Sequence, residues 1–374
     1  MKVLHVITGL AVGGAELQLR SVLQHTRHDA EVLALYNAGD VAEMISSDGV
    51  RVRDLGMVRN TQLSALPQLR SLIRAGGYDV VHTHLYRACV YGKLAARLAG
   101  TPVVVGTEHS IGETHLERRR LTTGVRALYL GTDRCAQATI AVSAAVAQRL
   151  VNWGMRRDKI ELIPNGVDFG RVAFDPRARE RVRAEHGIDQ RAFVIGLLGR
   201  LDANKRFEMV IEAAAPLLGE GCKLLVVGDG AERARLAALA HELRVAEHVV
   251  FAGERHDVAA MLSSFDLFVA SSAQETFGLS VLEALANGMP ALYTTCPALD
   301  GVRTDRARQV PGHVEGLREQ IAAEVTDRRG RGDVPAIRDL YGIEAVTGRI
   351  DDLYERLGAR AGRPVAAREG GGVR

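Results

Sequence analysis

A chain of 374 residues is long enough for two domains, each able to bury its own core. With 47% hydrophobic and 25% charged residues and no uninterrupted apolar run of about eighteen, it reads as a soluble globular protein and not as a membrane-spanning one. The net charge is only +3, but residues 1–165 carry 20 Lys and Arg against 14 Asp and Glu, so the basic first half favours an acidic partner or a membrane surface without demanding either.

The chain opens on "MKVLHVIT", an apolar strand with neither the core nor the cleavage site of a signal peptide, which predicts a cytoplasmic protein. Short apolar runs then alternate with helical segments: "EVLALY", "DVVHTH", "PVVVGTEH" and "ATIAVS", followed after a break by "FVIGLLG", "KLLVVG", "VVFAG", "LFVAS" and "PALYTT". Continuous Val, Ile and Leu runs are expected of parallel strands covered on both faces, so the class is α/β, doubly wound, with the pattern restarting once. The restart falls near 165–192, where Asp175 to Arg191 is highly charged and non-periodic. The expected division is 1–170 and 171–340, then a helix over 341–358 spaced on Ile343, Val346, Ile350, Leu353 and Leu357, and a disordered Gly- and Arg-rich tail at 359–374. Cys89, Cys135, Cys222 and Cys296 are widely separated and read as buried reduced thiols, not as a zinc site or a disulfide framework.

Ligands of doubly wound sheets sit beyond the carboxyl ends of the strands, so chemistry is sought just after each run. After the first comes "GLAVGGAE", a glycine loop before a helix, which suits the approach of an anion or is a tight turn; it is neither a dinucleotide fingerprint nor a P-loop. His82 and His84 share one face of their strand. A metal would need a third ligand, which the sequence does not reveal, and polar lining of a cleft is the preferred reading. His109, in "GTEHS", suits a phosphate, a sugar or proton transfer, or is a solvated loop histidine. Arg200 and Lys205 flank the polar loop of "GLLGRLDANKRF", and two cations there suit a diphosphate. "VVGDGAE" is a Gly-Asp-Gly turn that decides nothing by itself. In "ASSAQETFGLSVLEALANGMP", Gly278 and Leu279 begin a helix whose free amides favour phosphate. Glu275 stands before that terminus and Glu283 about one turn inside it, so both carboxylates can face one ligand, against hydroxyls or developing positive charge.

From "GGAE" through "TEHS", "IPNGVD", "GLLGRLDANKRF" and "VVGDGAERARL" to "ETFGLSVLEALANGMP", the chain resembles family 4 of the retaining glycosyltransferases, of the GT-B fold. The resemblance implies two Rossmann-like domains facing across a cleft, with the last helix crossing back to the first. It implies a metal-independent enzyme that moves a sugar from a nucleotide-sugar, UDP-linked before GDP-linked, to a hydroxyl of a small-molecule or lipid-linked acceptor. By the same resemblance Arg200 and Lys205 bind the diphosphate with the Gly278 and Leu279 amides, Glu275 meets the donor sugar, and Glu283 meets the ribose. The backbone at Arg255 borders the base, Gly14 approaches the diphosphate on domain closure, and His109 lies beside the transferred sugar. One departure stands out: "ALYTTCPALDGV" replaces the family's Gly-Gly loop and acidic residue, so the contacts of 295–302 are left open.

Residues 113–134 gather Arg118, Arg119, Arg120, Arg126 and Arg134 around Leu116, Leu121, Val125, Leu128 and Leu130. As one amphipathic helix they could rest on anionic lipid at the inner face of a membrane, or pack on the sheet with a solvated Arg face. Nucleic acid is not expected as a partner, because no stacking aromatics are interleaved with the arginines. The alternatives to transfer are a sugar-nucleotide hydrolase, epimerase or phosphorylase of the same fold, and a catalytically silent nucleotide-sugar-binding protein.

Overall fold

A computed structural model describes residues 1–59, 61–111, 115–116 and 119–362. They form two compact units: Met1–Gly166 together with the chain from Ile343 onward, and Val167–Gly342. The first division therefore falls a few residues ahead of the expected 170, and the second just beyond 340.

The first unit is built on strands β1 (Lys2–Ile7), β2 (Asp29–Ala34), β3 (Arg51–Asp54), β4 (Val80–His84) and β5 (Val103–Glu108). A short antiparallel pair follows, β6 (His115–Leu116) and β7 (Arg119–Arg120), and then β8 (Ala138–Ala141) and β9 (Ile160–Leu162). The seven sheet strands run parallel in the order β3-β2-β1-β4-β5-β8-β9. Every residue of β4 and β5 is buried, the polar His82, Thr83, His84, Thr107 and Glu108 at their carboxyl ends included, as expected of strands covered on both faces.

The helix Ile343–Arg360 completes this unit. Its Ile343, Val346, Ile350, Leu353, Tyr354 and Leu357 share one core with Val3, Val80, Val103, Val105 and Ile140. Polar contacts fix its register: buried Asp351 accepts from Thr26 Oγ1 at 2.8 Å and Arg27 N at 3.1 Å, and Arg27 reaches Asp352 at 2.7 Å and Glu355 at 2.9 Å. The helix runs on past 358, so residues 359 and 360 are helical and not tail; 361 and 362 form a turn, and the remainder of the expected disordered segment, 363–374, lies outside the described residues.

The second unit holds β10 (Phe193–Leu198), β11 (Cys222–Val227), β12 (Val249–Gly253), β13 (Leu267–Ala270), β14 (Ala291–Tyr293) and β15 (Ala307–Gln309). They too are parallel, in the order β12-β11-β10-β13-β14-β15. The charged stretch after Asp175, which shows no period in the sequence, is nevertheless partly helical. It contains the helix Pro176–Glu185, whose first turn is capped by Asp175 accepting from Arg177 N at 2.8 Å. The period was hidden because one of its inward residues is a charge. Fully buried Arg183 spends its guanidinium on the carbonyls of Ser264 and Ala192 and on Asp266, alongside apolar Ala178 and Val182.

The single amphipathic helix expected over 113–134 does not form. The helix there starts only at Thr123, where Thr122 caps it by accepting from Val125 N at 3.2 Å, and it ends at Asp133. Arg119 and Arg120 belong to β7, and Arg126 donates to Trp153 O at 2.6 Å; Arg118 lies outside the described residues. Of the cysteines, Cys89, Cys222 and Cys296 are buried and Cys135 is half-buried, and all four are thiols and not disulfides.

Trp153 is the sole tryptophan and sits buried in the first unit, so its fluorescence reports that unit alone. Leu353→Ala should lower the urea midpoint of the tryptophan transition by the equivalent of about 2–5 kcal/mol; an unchanged midpoint would show that the last helix does not stabilise the first unit.

Candidate active site

In the second unit the strand order turns back between adjacent β10 and β13, the crevice where doubly wound sheets hold ligands. The loops that leave these two strands are tied together by Asn204. Its carbonyl accepts from Ala273 N at 2.8 Å, while its side chain donates to Gln274 O at 2.9 Å and accepts from Gln274 N at 3.1 Å. Arg206 adopts a left-handed φ of 47° and sends its guanidinium to Ser271 O at 2.9 Å and Thr294 Oγ1 at 3.3 Å. The Ser271 hydroxyl donates to Lys205 O at 2.6 Å.

Held between these ties, Lys205 Nζ donates to Glu275 Oε1 at 2.6 Å, and the same oxygen accepts from Ser272 Oγ at 2.8 Å. Both side chains of the pair are 21% exposed, so a ligand can reach them. Two residues chosen from the sequence for separate reasons are thus one ion pair. Arg200 stands apart from it, exposed on the loop that follows β10.

The Gly-Asp-Gly turn is more than punctuation. A Cβ at Gly228 would lie 2.0 Å from Gly199 O and one at Gly230 would lie 2.4 Å from Leu201 O, so both glycines let the turn seat directly under the loop carrying Arg200 and Lys205. Leu201 N donates to Asp229 O at 3.0 Å across that seam.

Gly278 caps the helix Leu279–Ala286 with a φ of 96°. A Cβ there would also lie 2.4 Å from Cys296 Sγ. The departing loop 295–302 therefore has a place: Cys296 fills the space against Gly278, and Ala298 N donates to Phe277 O at 2.9 Å, bracing the helix N-terminus from behind. Glu283 is the fifth residue of that helix and half-buried. Burial pushes its carboxyl up to about 7, with the Arg171 charge acting in the opposite direction. Arg255 keeps its guanidinium on Glu185 at 2.5 Å and Asp257 at 2.8 Å, so its side chain is committed and its backbone is what a ligand would meet.

In the first unit Gly14 begins the helix Gly14–His25, and a Cβ added there would touch nothing within 4 Å. Its neighbours do not require a glycine, which leaves close approach from outside as a reason for one. His109 is no solvated loop residue: it is 9% exposed, and burial lowers it to about 4. His82 and His84 are buried too, and with Thr107 and His109 they line a small pocket of the first unit. His82 Nδ1 meets Tyr354 Oη at 2.6 Å and its Nε2 meets Thr107 Oγ1 at 2.6 Å, so a residue of the last helix anchors it inside the unit.

The third imidazole that the sequence did not reveal is His5, on β1, whose register sets it opposite His82. Among the described residues His5, His82 and His84 have donor atoms within 4.8 Å of one another, close enough for a metal. In the present arrangement both nitrogens of His82 are engaged, and His5 and His84 meet each other at 3.1 Å.

Residues 178–326 match the family described as glycosyl transferases group 1, and residues 12–171 match Glycosyltransferase Family 4. A GDP-mannose-dependent alpha-mannosyltransferase of Mycobacterium tuberculosis is 32% identical over 303 residues, 75% of each chain. The chain belongs to glycosyltransferase family 4. It is a glycosyltransferase with the two Rossmann-like halves of the GT-B fold. A 2-deoxystreptamine glucosyltransferase of Streptomyces kanamyceticus is 27% identical over 335 residues, covering 82% of this chain and 86% of that one. A UDP-Gal:alpha-D-GlcNAc-diphosphoundecaprenol alpha-1,3-galactosyltransferase of Escherichia coli is 26% identical over 248 residues, 65% of this chain and 64% of that one. Among solved structures, Anabaena HepE in complex with UDP-glucose superposes with a TM-score of 0.83 at 21% identity, over 95% of this chain and 100% of that chain.

A carboxyl whose folded value lies near 7, above its unfolded value of about 4.5, stabilises the fold while protonated and loses that contribution as pH rises through 7. Glu283→Gln should therefore raise the melting temperature at pH 8 and leave it unchanged at pH 4.5; an equal shift at both would show that burial does not perturb Glu283.

Proposed function

We propose that this glycosyltransferase retains the configuration of the transferred sugar, needs no metal, and takes a UDP-linked donor, with a GDP-linked donor as the second candidate. The observation that carries the reading is the Lys205–Glu275 pair, which puts a cation and a carboxylate at the switch point beside a helix N-terminus. Transfer from a nucleotide diphosphate develops negative charge on the leaving diphosphate and positive charge on the sugar ring. Lys205, Arg200 and the Gly278 and Leu279 amides are assigned to the diphosphate, supplying the positive charge that a divalent cation would otherwise bring.

Glu275 is assigned to the donor sugar, where its carboxylate accepts hydroxyl protons and faces the oxocarbenium-like charge. Glu283 is assigned to the ribose hydroxyls, the Arg255 backbone to the base, Gly14 to the diphosphate, and His109 to the transferred sugar. The relatives act on acceptors as different as a diphosphoundecaprenol-linked sugar and 2-deoxystreptamine, so the acceptor class proposed here is a hydroxyl of a lipid-linked sugar or of a small aminocyclitol-like metabolite. Contact with an anionic membrane surface goes with the first of these.

Glu275→Gln and Lys205→Ala should each lower kcat by about a hundredfold or more, as loss of a preorganised charge does, with melting temperatures close to wild type; near-normal turnover in both would sink the assignment. EDTA should leave the rate unchanged, and an α-linked donor should give an α-linked product by NMR. A β-linked product would overturn retention, and a rate restored only by added cation would overturn metal independence.

A further inference from the structure

Two imidazole contacts join His109 to the interior of the first unit. His109 Nε2 lies 3.3 Å from His84 Nδ1, and His84 Nε2 lies 3.1 Å from His5 Nδ1. Strand register produces the row: β1 pairs in parallel with β4, which sets Ile7 opposite His84 and His5 opposite His82, and β5 beside β4 leads directly into His109. The rings of His5 and His84 stack with centroids 5.3 Å apart, and those of His84 and His109 lie 5.6 Å apart. All three are buried, and burial holds them neutral: His5 falls to about 3, His109 to about 4, and His84 well below its ordinary value.

A neutral imidazole has one N–H donor and one bare acceptor nitrogen, and each contact in the row needs one proton. If His84 carries its proton on Nε2, it donates to His5 Nδ1, so His5 must be protonated on Nε2. The bare His84 Nδ1 then accepts from His109, which is protonated on Nε2 as well. If His84 carries its proton on Nδ1, both contacts reverse and all three are protonated on Nδ1. A mixed row would leave one buried contact with two protons or with none. Passing from the first state to the second moves one proton across each contact, adds one to His109 Nδ1 and releases one from His5 Nε2; because His109 Nδ1 is sealed from solvent, the exchange with water takes place when the unit opens locally, and no ring is left charged in either state. His82 stays outside the row, its nitrogens held by Tyr354 and Thr107.

We infer that His84 and His5 are positioning residues that dictate which nitrogen of His109 bears its proton, so that a ligand meeting His109 selects one tautomer for the whole row. The inference rests on the reading that the transferred sugar meets His109. It gives that residue the means to offer a sugar hydroxyl either a donor or an acceptor without charging a buried group.

Long-range proton–nitrogen spectra of the full chain labelled with ¹⁵N-histidine, near pH 7.5, test it. Without ligand, His5, His84 and His109 should be neutral and share one tautomer; different tautomers among the three would overturn the row. Stoichiometric zinc in the purified protein with shifted His5, His82 and His84 signals would overturn it too. With UDP-glucose as the probe, any change should occur in all three together, and a change confined to His109 would overturn the coupling. UDP-glucose binding that depends on Lys205 but moves none of the three would remove the sugar from His109, while the shared tautomer, measured without ligand, would stand on its own. His84→Phe should lower kcat about tenfold or more with a donor KM within about threefold. His84→Gln, which keeps one donor and one acceptor, should recover most of that loss. Equal rates in both variants and wild type would show that the row takes no part in the reaction.

Discussion

The salt bridge from Lys205 to Glu275 fixes the separation of two loops that belong to different strands, and much of the second unit is arranged to keep that separation constant. A flexible lysine paired with a partly exposed carboxylate would contribute little if either loop could drift. Asn204 removes that freedom by bonding to the opposite loop through both its backbone and its side chain, and Arg206 by reaching Ser271 and Thr294. From below, Gly228 and Gly230 bring a third loop into backbone contact, and from behind, Cys296 fills the space that a side chain at 278 would need. The cation, the carboxylate and the helix amides are thereby held by packing and hydrogen bonds that exist before any ligand arrives, which is the condition for electrostatic stabilisation at low reorganisation cost.

The first unit faces the opposite constraint, polar groups enclosed in a parallel sheet. Four histidines, a lysine and several carboxylates lie buried there, and each needs a partner to offset desolvation. Lys93 finds Asp133 at 2.8 Å, and His82 finds both Tyr354 and Thr107. The last helix is what makes the second arrangement available. It crosses the sheet where His82 points, so its Tyr354 serves the core with its ring and the histidine with its hydroxyl.

The alternation of strands and helices was legible because parallel strands covered on both faces are mostly apolar, and the loops after β10 and β13 were legible because cations and carboxylates there have few structural uses. What sequence reading missed shares one cause. Asn204, Arg206 and Cys296 act across the fold, on partners about twenty to ninety residues away, and nothing local marks them. His5 is the same case: alone in an apolar run it looks like a tolerated core histidine, and only the register of β1 on β4 brings it to His82 and His84. The helix Pro176–Glu185 was hidden by Arg183, a charge on the buried face, and the helix expected over 113–134 was overcalled because a cluster of arginines and leucines imitates amphipathic spacing. Charge patterning misleads where a buried arginine caps carbonyls and where a short strand pair interrupts the period.

The ion pair also shapes how a donor would enter. An ammonium has three protons, and Glu275 takes one of them, so Lys205 can turn toward a diphosphate without leaving its partner. Bringing a diphosphate beside Glu275 nevertheless sets two negative groups near each other, a repulsion that an anion alone cannot offset. A nucleotide-sugar would offset it with hydroxyls that donate to the carboxylate, and on the way to the transition state a ring taking on positive charge would turn the same carboxylate from a cost into an attraction. On the proposed assignment, sharing one carboxylate between a lysine and a sugar would therefore make the pocket discriminate against bare phosphate and favour the reacting donor over both the resting donor and the nucleotide product.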